Sequence, residues 1–390
     1  MVIKMTLFCF FVQVALSLSY NTTLGTGISR EGKFFSIFSV VRFPNSGCSA
    51  TNQYNGTCLT SNECSRSGGV AYGSCASGFG VCCTFLIQTC GTTTNKNCTY
   101  FQNPGYPSAS VAPLQCSLVV QKCSADICQL RLDFQEFVIS QPDSSTFETM
   151  GANFQGQCVT DSFTVSGGSN PIPVLCGTNT GQHMYVDMTT GGGSFTLSFS
   201  LGASSEAESL ERTWNVKISQ LPCDAISNAP PQCLQYFTST TGTLLSYNYQ
   251  VEDAENTYML SNTDYTICIR MAEGFCGVCY SQCTSAAPPA FQISGEAGTA
   301  SVDTDCTTDW ITIPSGYGQG TTKTTDRICG PFLAADGEDT SEIPVCSTSK
   351  PFEVRVHTDN FEAETDLSDG FCLNYNQIPC ISTAGINTVA

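Results

Sequence analysis

The 390-residue sequence has little of the chemistry on which hydrolases depend. It contains only two histidines, His183 and His357, and neither lies in the context of a trypsin-like triad, which needs a histidine beside its serine. The motifs Gly-Asp-Ser-Gly-Gly, His-Glu-x-x-His and Gly-x-Gly-x-x-Gly and the Walker loop are absent. Acid pairs such as Glu206 and Glu208 lie in polar stretches typical of solvated loops rather than of a glycosidase. We therefore predict that the chain is not an enzyme.

Charge is also scarce, and most of it is negative. Charged residues make up 12% of the chain, with 15 basic against 33 acidic residues and a net charge of −18. Nucleic acids and anionic membranes need basic patches, so neither is an expected partner. Three Asn-x-Thr sequences make Asn21, Asn55 and Asn97 candidate glycosylation sites. A disulfide at Cys98, the middle residue of the last sequence, would hide that acceptor.

Beyond its N-terminus the sequence has no run of 18 apolar residues that would span a membrane. The run from Met5 to Leu18 ends at the small residues Ser17 and Ser19. This pattern predicts a secretory signal peptide over residues 1–19. A transmembrane anchor is the alternative, but the run is short for that purpose. We expect a secreted, extracellular protein without a membrane span.

Cysteine, by contrast, is abundant. Of 25 cysteines, Cys9 lies in the signal, which leaves 24, an even number that permits twelve disulfides. In an oxidising compartment each disulfide contributes about 2–4 kcal/mol. Cys276 and Cys279 have zinc-like spacing, but Cys283 follows closely and histidine is scarce. Disulfides are therefore the preferred interpretation.

Residues 48–83 form a small cysteine-rich module. Its density of glycine and lack of apolar residues prevent a sufficient core, so we expect disulfides to hold it together. Spacing alone does not fix the bonds, although adjacent Cys82 and Cys83 should reach different partners. Residues 20–47 precede it as an N-terminal arm, whose apolar run Phe34–Val41 forms a strand or packs on a later domain.

The rest of the chain contains a diverged internal repeat. The sequence Cys158-Val-Thr-Asp161 recurs as Cys306-Thr-Thr-Asp309. Each copy is followed by a Cys-Gly pair, Cys176-Gly177 and Cys329-Gly330. The period of roughly 150 residues is too long for a solenoid and fits two tandem domains.

Both copies have the pattern of β-strands. Apolar and polar residues alternate from Leu130 to Phe134 and from Phe352 to Val356, which puts one face of each strand in a core. Short strands separated by turn-rich clusters predict sandwiches or barrels. We therefore predict an all-β chain with domains at residues 90–223 and 233–380 and a tail at 381–390. The short link between them predicts domains that pack or stand semi-rigidly.

These features resemble two CUB domains. Cys90-Gly91 is followed by the turn Pro104-Gly-Tyr-Pro107, Cys116, the strand Leu130–Phe137 and the Cys-x-x-Asp motif. The second copy lacks the Pro-x-Tyr-Pro turn but keeps the closing strand Gly370–Tyr375. The resemblance implies two tandem jelly-roll sandwiches. It also implies the pairs Cys90–Cys116, Cys158–Cys176, Cys233–Cys268 and Cys306–Cys329.

The N-terminal module is similar to the clip domain of arthropod secreted proteins. The order of its cysteines and the closing Cys-Cys pair carry this resemblance, although the gap from Cys64 to Cys75 is short for a clip. With the two CUB-like domains, the whole chain resembles arthropod CUB-containing secreted proteins. The resemblance implies the pairs Cys48–Cys82, Cys58–Cys75 and Cys64–Cys83. The pairing of the other cysteines does not follow from it.

CUB domains often bind calcium through one Glu and two Asp, so the resemblance raises that cofactor for this chain. In the first domain Asp161 matches one acid, but the Glu position falls at Ser140. In the second, Asp309 and Asp359 match two acids, with Glu296 near the missing third. Asp309 and Asp359 are therefore weak calcium candidates, and no other cofactor is expected. The interpretation we favour for the motif Asp is an acceptor of backbone hydrogen bonds in the turn before a strand.

The resemblance implies binding of an extracellular protein, or of a glycan. Aromatic side chains dominate binding hot spots, so Tyr106, Trp310 and Tyr317 are candidate contact residues, although Trp310 has the alternative role of capping the core. Two other functions stay open. One is a non-enzymatic regulator of an extracellular protease cascade, which the clip-like module favours. The other is a structural component of matrix or cuticle, which requires self-association; the sequence leaves the oligomeric state undetermined.

Overall fold

The computed structural model shows an all-β protein, as the sequence predicts. The chain divides into two compact units, Met1–Phe85 and Leu86–Ala390. Among the described residues, no helix has the length and hydropathy needed to cross a membrane. The predicted signal peptide, most of the N-terminal arm and the C-terminal tail lie outside the described residues. The structure describes residues 41–51, 54–143, 156–168, 172–189, 192–203, 211–251, 258–284, 289–294, 300–318, 320, 323–360 and 368–380.

The first unit is a small sheet with one short helix. The helix begins after Thr60, whose Oγ1 accepts the N–H of Glu63, while the Glu63 carboxylate accepts the N–H of Thr60. This reciprocal cap is encoded by the sequence Thr-x-x-Glu. The elements are β1 (Gly47–Ser49), β2 (Asn55–Leu59), α1 (Ser61–Arg66), β3 (Val70–Cys75), a 3-10 turn (Ala76–Gly78) and β4 (Gly80–Ile87).

Disulfides occupy the interior of this unit. The bonds are Cys48–Cys82, Cys58–Cys75 and Cys64–Cys83, the pairs that the clip resemblance implies. Glycine lets the backbone approach them: a Cβ on Gly69 would collide with the Cys83 sulfur, and one on Gly80 would lie 2.8 Å from the Cys75 sulfur. The density of glycine therefore follows from the close packing of chain against sulfur.

Strands β5 to β12, which we call the first domain, form two four-stranded sheets. Their orders are β6-β12-β8-β10 and β5-β7-β11-β9. The side chains that alternate from Leu130 to Phe134 enter the core between them, where Trp214 stacks on Phe199 with 4.1 Å between ring centroids. The strands are β5 (Thr92–Thr94), β6 (Thr99–Gln102), β7 (Leu114–Gln121), β8 (Ile127–Val138), β9 (Asp161–Ser166), β10 (His183–Asp187), β11 (Ser194–Leu201) and β12 (Thr213–Pro222).

Strands β13 to β23, the second domain, repeat the double-sheet arrangement. One set follows the order β13-β15-β22-β19 and the other β21-β16-β23-β14, with β19 pairing to β21. The strands are β13 (Cys233–Phe237), β14 (Thr241–Leu245), β15 (Asp264–Ile269), β16 (Phe275–Gln282), β17 (Phe291–Gln292), β18 (Ser301–Val302), β19 (Trp310–Gly318), β20 (Thr325–Cys329), β21 (Val345–Ser347), β22 (Phe352–His357) and β23 (Gly370–Pro379), with a 3-10 turn at Asp303–Asp305.

Eight disulfides lie in the second unit. Four are the pairs that the CUB resemblance implies, Cys90–Cys116, Cys158–Cys176, Cys233–Cys268 and Cys306–Cys329. Four could not be predicted: Cys128–Cys223, Cys276–Cys380, Cys279–Cys346 and Cys283–Cys372. Cys98 and Cys123 lie outside the eleven bonds that the structure records. The zinc-like pair Cys276 and Cys279 is therefore used in two disulfides.

The two domains of the second unit pack against each other through polar side chains. Asn248 accepts the N–H of Thr178 on Oδ1 at 2.8 Å, and its own N–H donates to Asn179 Oδ1 at 2.9 Å. Gln182 donates to the carbonyl of Ser246 at 3.1 Å. Strand β10 of the first domain lies beside β13 of the second. Directional hydrogen bonds therefore fix the contact between the domains.

Removing the Cys128–Cys223 bond should destabilise the second unit. The bond joins residues 95 positions apart, so its loss increases the entropy of the unfolded chain. We expect Cys128→Ser/Cys223→Ser to lower the free energy of unfolding by about 2–5 kcal/mol in non-reducing guanidinium melts. Cys58→Ser/Cys75→Ser, in the first unit, is the control and should leave this transition in place. An unchanged transition in the first variant would contradict the prediction.

Candidate functional site

The motif Asp of the first domain is held by a cation from its own chain. Asp161 and Arg212 are each 1% exposed. Arg212 Nε donates to Asp161 Oδ2 at 2.7 Å and Nη2 donates to Oδ1 at 3.0 Å. The N–H and hydroxyl of Ser140 donate to Oδ2, and the N–H of Gly202 donates to Oδ1. A guanidinium thus neutralises the carboxylate from inside the fold, and these residues do not fit a calcium ion.

The motif Asp of the second domain has a different set of donors. Asp309, which is fully buried, accepts the N–H of Asp359 on Oδ1 and the hydroxyl of Ser368 on Oδ2, both at 2.9 Å. The structure therefore brings Asp309 and Asp359 together. Two carboxylates are fewer than calcium requires, and the described residues contain no group of three metal-ligating side chains. Glu296 lies outside the described residues, so calcium at this end stays a prediction.

A further carboxyl lies next to this group. Burial raises the pKa of Asp369 to about 6, well above its ordinary value. Burial, together with the nearby Asp369, raises the pKa of Tyr249 to about 12. No sequence motif predicts this effect; Asp369 follows Ser368 directly before β23. The Asp369 carboxyl is therefore half ionised near pH 6 and becomes fully charged only well above that pH.

Four strands of the second domain align a row of charged and aromatic side chains. Asp264 of β15 pairs with His357 of β22, which pairs with Trp310 of β19, and Arg327 comes from the neighbouring β20. We call these four residues the aromatic row. The residues next to them, Tyr265, Val356, Ile311 and Ile328, are buried in the core. Because side chains alternate across a strand, the aromatic row lies on the outer face of the sheet.

Close contacts link the members of the aromatic row. His357 Nδ1 lies 2.7 Å from Asp264 Oδ1. The rings of Trp310 and His357 have centroids 4.0 Å apart with 31° between their planes, and Arg327 Cζ lies 4.2 Å from the Trp310 ring centroid. The Asp264 side chain is 74% exposed and that of His357 is 32% exposed. The indole is therefore partly exposed but held between a cation and an imidazole.

The structure does not bring the three predicted contact residues together. Trp310 belongs to the aromatic row. Tyr317 lies seven positions later on β19, roughly 20 Å along the strand. Tyr106 is in the first domain, where its hydroxyl donates to Glu136 at 2.7 Å. Sequence reasoning missed the neighbours of Trp310 because they come from three other strands.

The glycosylation candidates also differ in their surroundings. Asn55 is exposed on β2. Asn97 instead donates from Nδ2 to the carbonyl of Gln220 at 3.1 Å and accepts the N–H of Gln220 on Oδ1 at 2.7 Å. The Asn97 side chain thus makes two hydrogen bonds to the backbone of β12. Asn21 lies outside the described residues.

The second domain is similar in sequence to a known family, and the chain is similar to several solved structures. Residues 230–378, which contain the aromatic row, match the family described as Animal CUB domain. No curated protein sequence matches the chain. Among solved structures, the CUB1-EGF-CUB2 domains of rat MASP-1 share 17% identity, covering 73% of this chain and 99% of that one, with a TM-score of 0.24. The full extracellular region of zebrafish Gpr126/Adgrg6 shares 11% identity, covering 75% and 37%, with a TM-score of 0.25. Scores this low carry no conclusion about function.

Arg212→Met should destabilise the first domain strongly, because it leaves the buried Asp161 carboxylate without its cation. We expect a loss of about 3–5 kcal/mol in the free energy of unfolding, measured by denaturant melts. Arg131→Met is the matched control, because the Arg131–Asp133 pair is partly exposed, at 35% and 19%. Its electrostatic contribution should be about 1 kcal/mol or less. Equal losses of unfolding free energy in the two variants would show that burial does not increase the contribution of the Asp161–Arg212 pair.

Glycan occupancy should differ between Asn55 and Asn97. A sugar on Asn97 Nδ2 would displace the side chain from Gln220, whereas Asn55 is exposed. We expect peptide mass spectrometry of the secreted protein, after enzymatic deglycosylation in heavy-oxygen water, to find the label on Asn55 and not on Asn97. An Asn55→Gln variant is the control, because it should lose the label found at position 55. Full occupancy of Asn97 in folded protein would refute the expectation.

Proposed function

We propose that this chain is a secreted, non-catalytic protein that uses its CUB domain to bind another extracellular protein. The domain at residues 230–378 supports this, because such domains generally serve as binding modules. Eleven disulfides support an oxidising, extracellular location. The proposed contact surface is the aromatic row.

The single observation that carries the proposal is the fixed position of Trp310, which packs against the core but stays partly exposed on the outer face of the sheet. Trp and Arg are enriched among the residues that dominate binding energy. Arg327 and His357 hold the indole before any partner arrives, so less side-chain entropy is lost on binding. On a protein of net charge −18, this face also presents Arg327 and the 61% exposed Arg355, although Arg355 is paired with Glu353. A partner that offers a carboxylate and an apolar group fits this combination.

The contacts of the two histidines bear on the proposed non-catalytic role. Nε2 of His183 accepts the backbone N–H of Tyr236 at 3.0 Å, and the ring is 8% exposed. His357 is engaged by Asp264 and lies against Trp310. Nε2 of His183 is thus used in a structural hydrogen bond. The Asp264–His357 pair has the arrangement of a triad acid and base, but the sequence lacks the Gly-Asp-Ser-Gly-Gly motif that would supply a trypsin-like nucleophile.

The test is a comparison of wild-type protein with Trp310→Ala in partner capture. Immobilised full-length protein would be exposed to extracellular fluid, and each captured protein would be purified and its Kd measured. We expect Trp310→Ala to weaken the interaction about 30-fold, which corresponds to about 2 kcal/mol for an aromatic hot spot.

Phe79→Ala is the matched control, because Phe79 is a 62% exposed aromatic residue in the first unit. It should leave the Kd unchanged. The proposal fails if no protein binds specifically, or if Trp310→Ala binds each captured partner as tightly as the wild type. Circular dichroism would verify that both variants fold.

A further inference from the structure

One histidine lies in the contact between the first and second domains. His183, on β10, accepts the N–H of Tyr236 on Nε2 at 3.0 Å, and its carbonyl accepts the hydroxyl of Tyr247 at 3.0 Å. Its ring packs against Phe237, with centroids 5.0 Å apart. Three residues of the second domain therefore contact this single residue of the first.

The hydrogen bond to Tyr236 specifies the protonation state of His183. Because Nε2 is an acceptor, the ring is the neutral tautomer that carries its hydrogen on Nδ1. A second proton would place an N–H on Nε2, directly facing the N–H of Tyr236. Two donors cannot share this position, so protonation removes the bond and leaves a buried positive charge.

Of the two charged groups nearest to His183 in the first domain, Arg131 disfavours the imidazolium more than Asp133 favours it. On the neighbouring β8, Asp133 is paired directly with His183 in register, but its carboxylate already accepts Arg131 Nε at 2.8 Å. Arg131 also donates to the hydroxyl of Tyr185 on β10 at 2.9 Å. From the second domain, the groups near this region are the hydroxyls of Tyr236 and Tyr247 and the guanidinium of Arg270, whose charge acts on Tyr236. An imidazolium here therefore meets a fixed guanidinium and no free carboxylate among these groups.

We propose that the contact between the two domains is a proton-operated switch, closed while His183 is neutral and opened when this residue is protonated. Opening transfers the ring to water, where the imidazolium is solvated. The hydrogen bonds of Asn248 and Gln182 contain no titrating group, so they oppose opening equally at every pH. Among the hydrogen bonds described for this contact, the one made by the His183 ring is therefore the bond whose strength changes with pH.

The direction and the pH range follow from linkage. Burial, and then Arg131, lower the pKa of His183 to about 4, whereas an exposed histidine titrates near 6.5. The lowered pKa stabilises the closed form fully above pH 6.5, and this advantage decreases as the pH falls towards 4. At pH 5 the opening equilibrium constant should be roughly 30-fold larger than at pH 7.5. Below pH 4 the opening equilibrium constant no longer changes with pH.

The first measurement is hydrogen–deuterium exchange of the full-length protein. We would follow peptides that contain the Tyr236 amide from pH 7.5 to pH 4, after correction for the intrinsic exchange rate. Protection should fall roughly 30-fold at pH 5 in the wild type, while peptides from the central strand β22 keep their protection.

The chain provides its own matched control, because it has only two histidines. In His183→Gln the pH-dependent loss should disappear, since glutamine does not titrate. His357→Gln removes the other histidine and should behave as the wild type does. The proposal is overturned if Tyr236 keeps its protection at pH 5, or if His183→Gln loses protection as the wild type does.

A second measurement uses only the wild-type protein, so its result does not require any variant to fold. With histidine labelled at the ring carbons, NMR would record the signals of His183 and His357 separately as the pH is lowered. We expect the His183 signal to change through conformational exchange between open and closed forms, with an apparent midpoint below that of an exposed ring. A simple titration near 6.5 with no change in domain contacts would overturn the proposal.

Discussion

Burial of one face of the second-domain sheet is the constraint on which the candidate site depends. Ile311, Val356 and Ile328 enter the core, and the alternation of side chains then forces their neighbours Trp310, His357 and Arg327 to the outside. A slip of one residue in any strand would exchange these two sets. The core therefore determines the register, and the register assembles the aromatic row without needing any direct attraction between its members.

The same argument explains what the sequence could and could not predict. Alternation from Phe352 to Val356 shows that β22 has one buried face, and by extension that His357 lies opposite it. The partners of β22 are not local: Asp264 is 93 residues away and Trp310 is 47 residues away in the sequence. Pairing between such distant strands depends on the packing of the whole domain. Trp310 could thus be selected as a contact residue by type, but its neighbours could not.

The repeated Cys-x-x-Asp motif marks the fold more reliably than it marks a metal site. In both domains it places a buried carboxylate at the beginning of a strand, but the groups around that carboxylate differ. Ser140 lies at the position where the CUB resemblance implies a glutamate. Arg212 supplies a positive charge that no sequence motif predicts. In the second domain, Ser368 and the backbone of Asp359 bind the carboxylate of Asp309. The motif places a carboxylate at the same point of each domain. The groups that neutralise or hydrogen-bond this carboxylate differ between the two copies.

The contact between the domains combines packed rings, such as Tyr185 against Tyr236, with directional hydrogen bonds. Asn248, Gln182 and Tyr247 each satisfy a specific backbone group across the contact. Hydrogen bonds of this kind contribute about 0.5–1.5 kcal/mol each, and they require exact placement of donor and acceptor. Together they select one relative orientation of the two domains. Because each is individually modest, a single buried charge among them is large enough to offset several, and this makes the neutral state of His183 a condition for the closed arrangement.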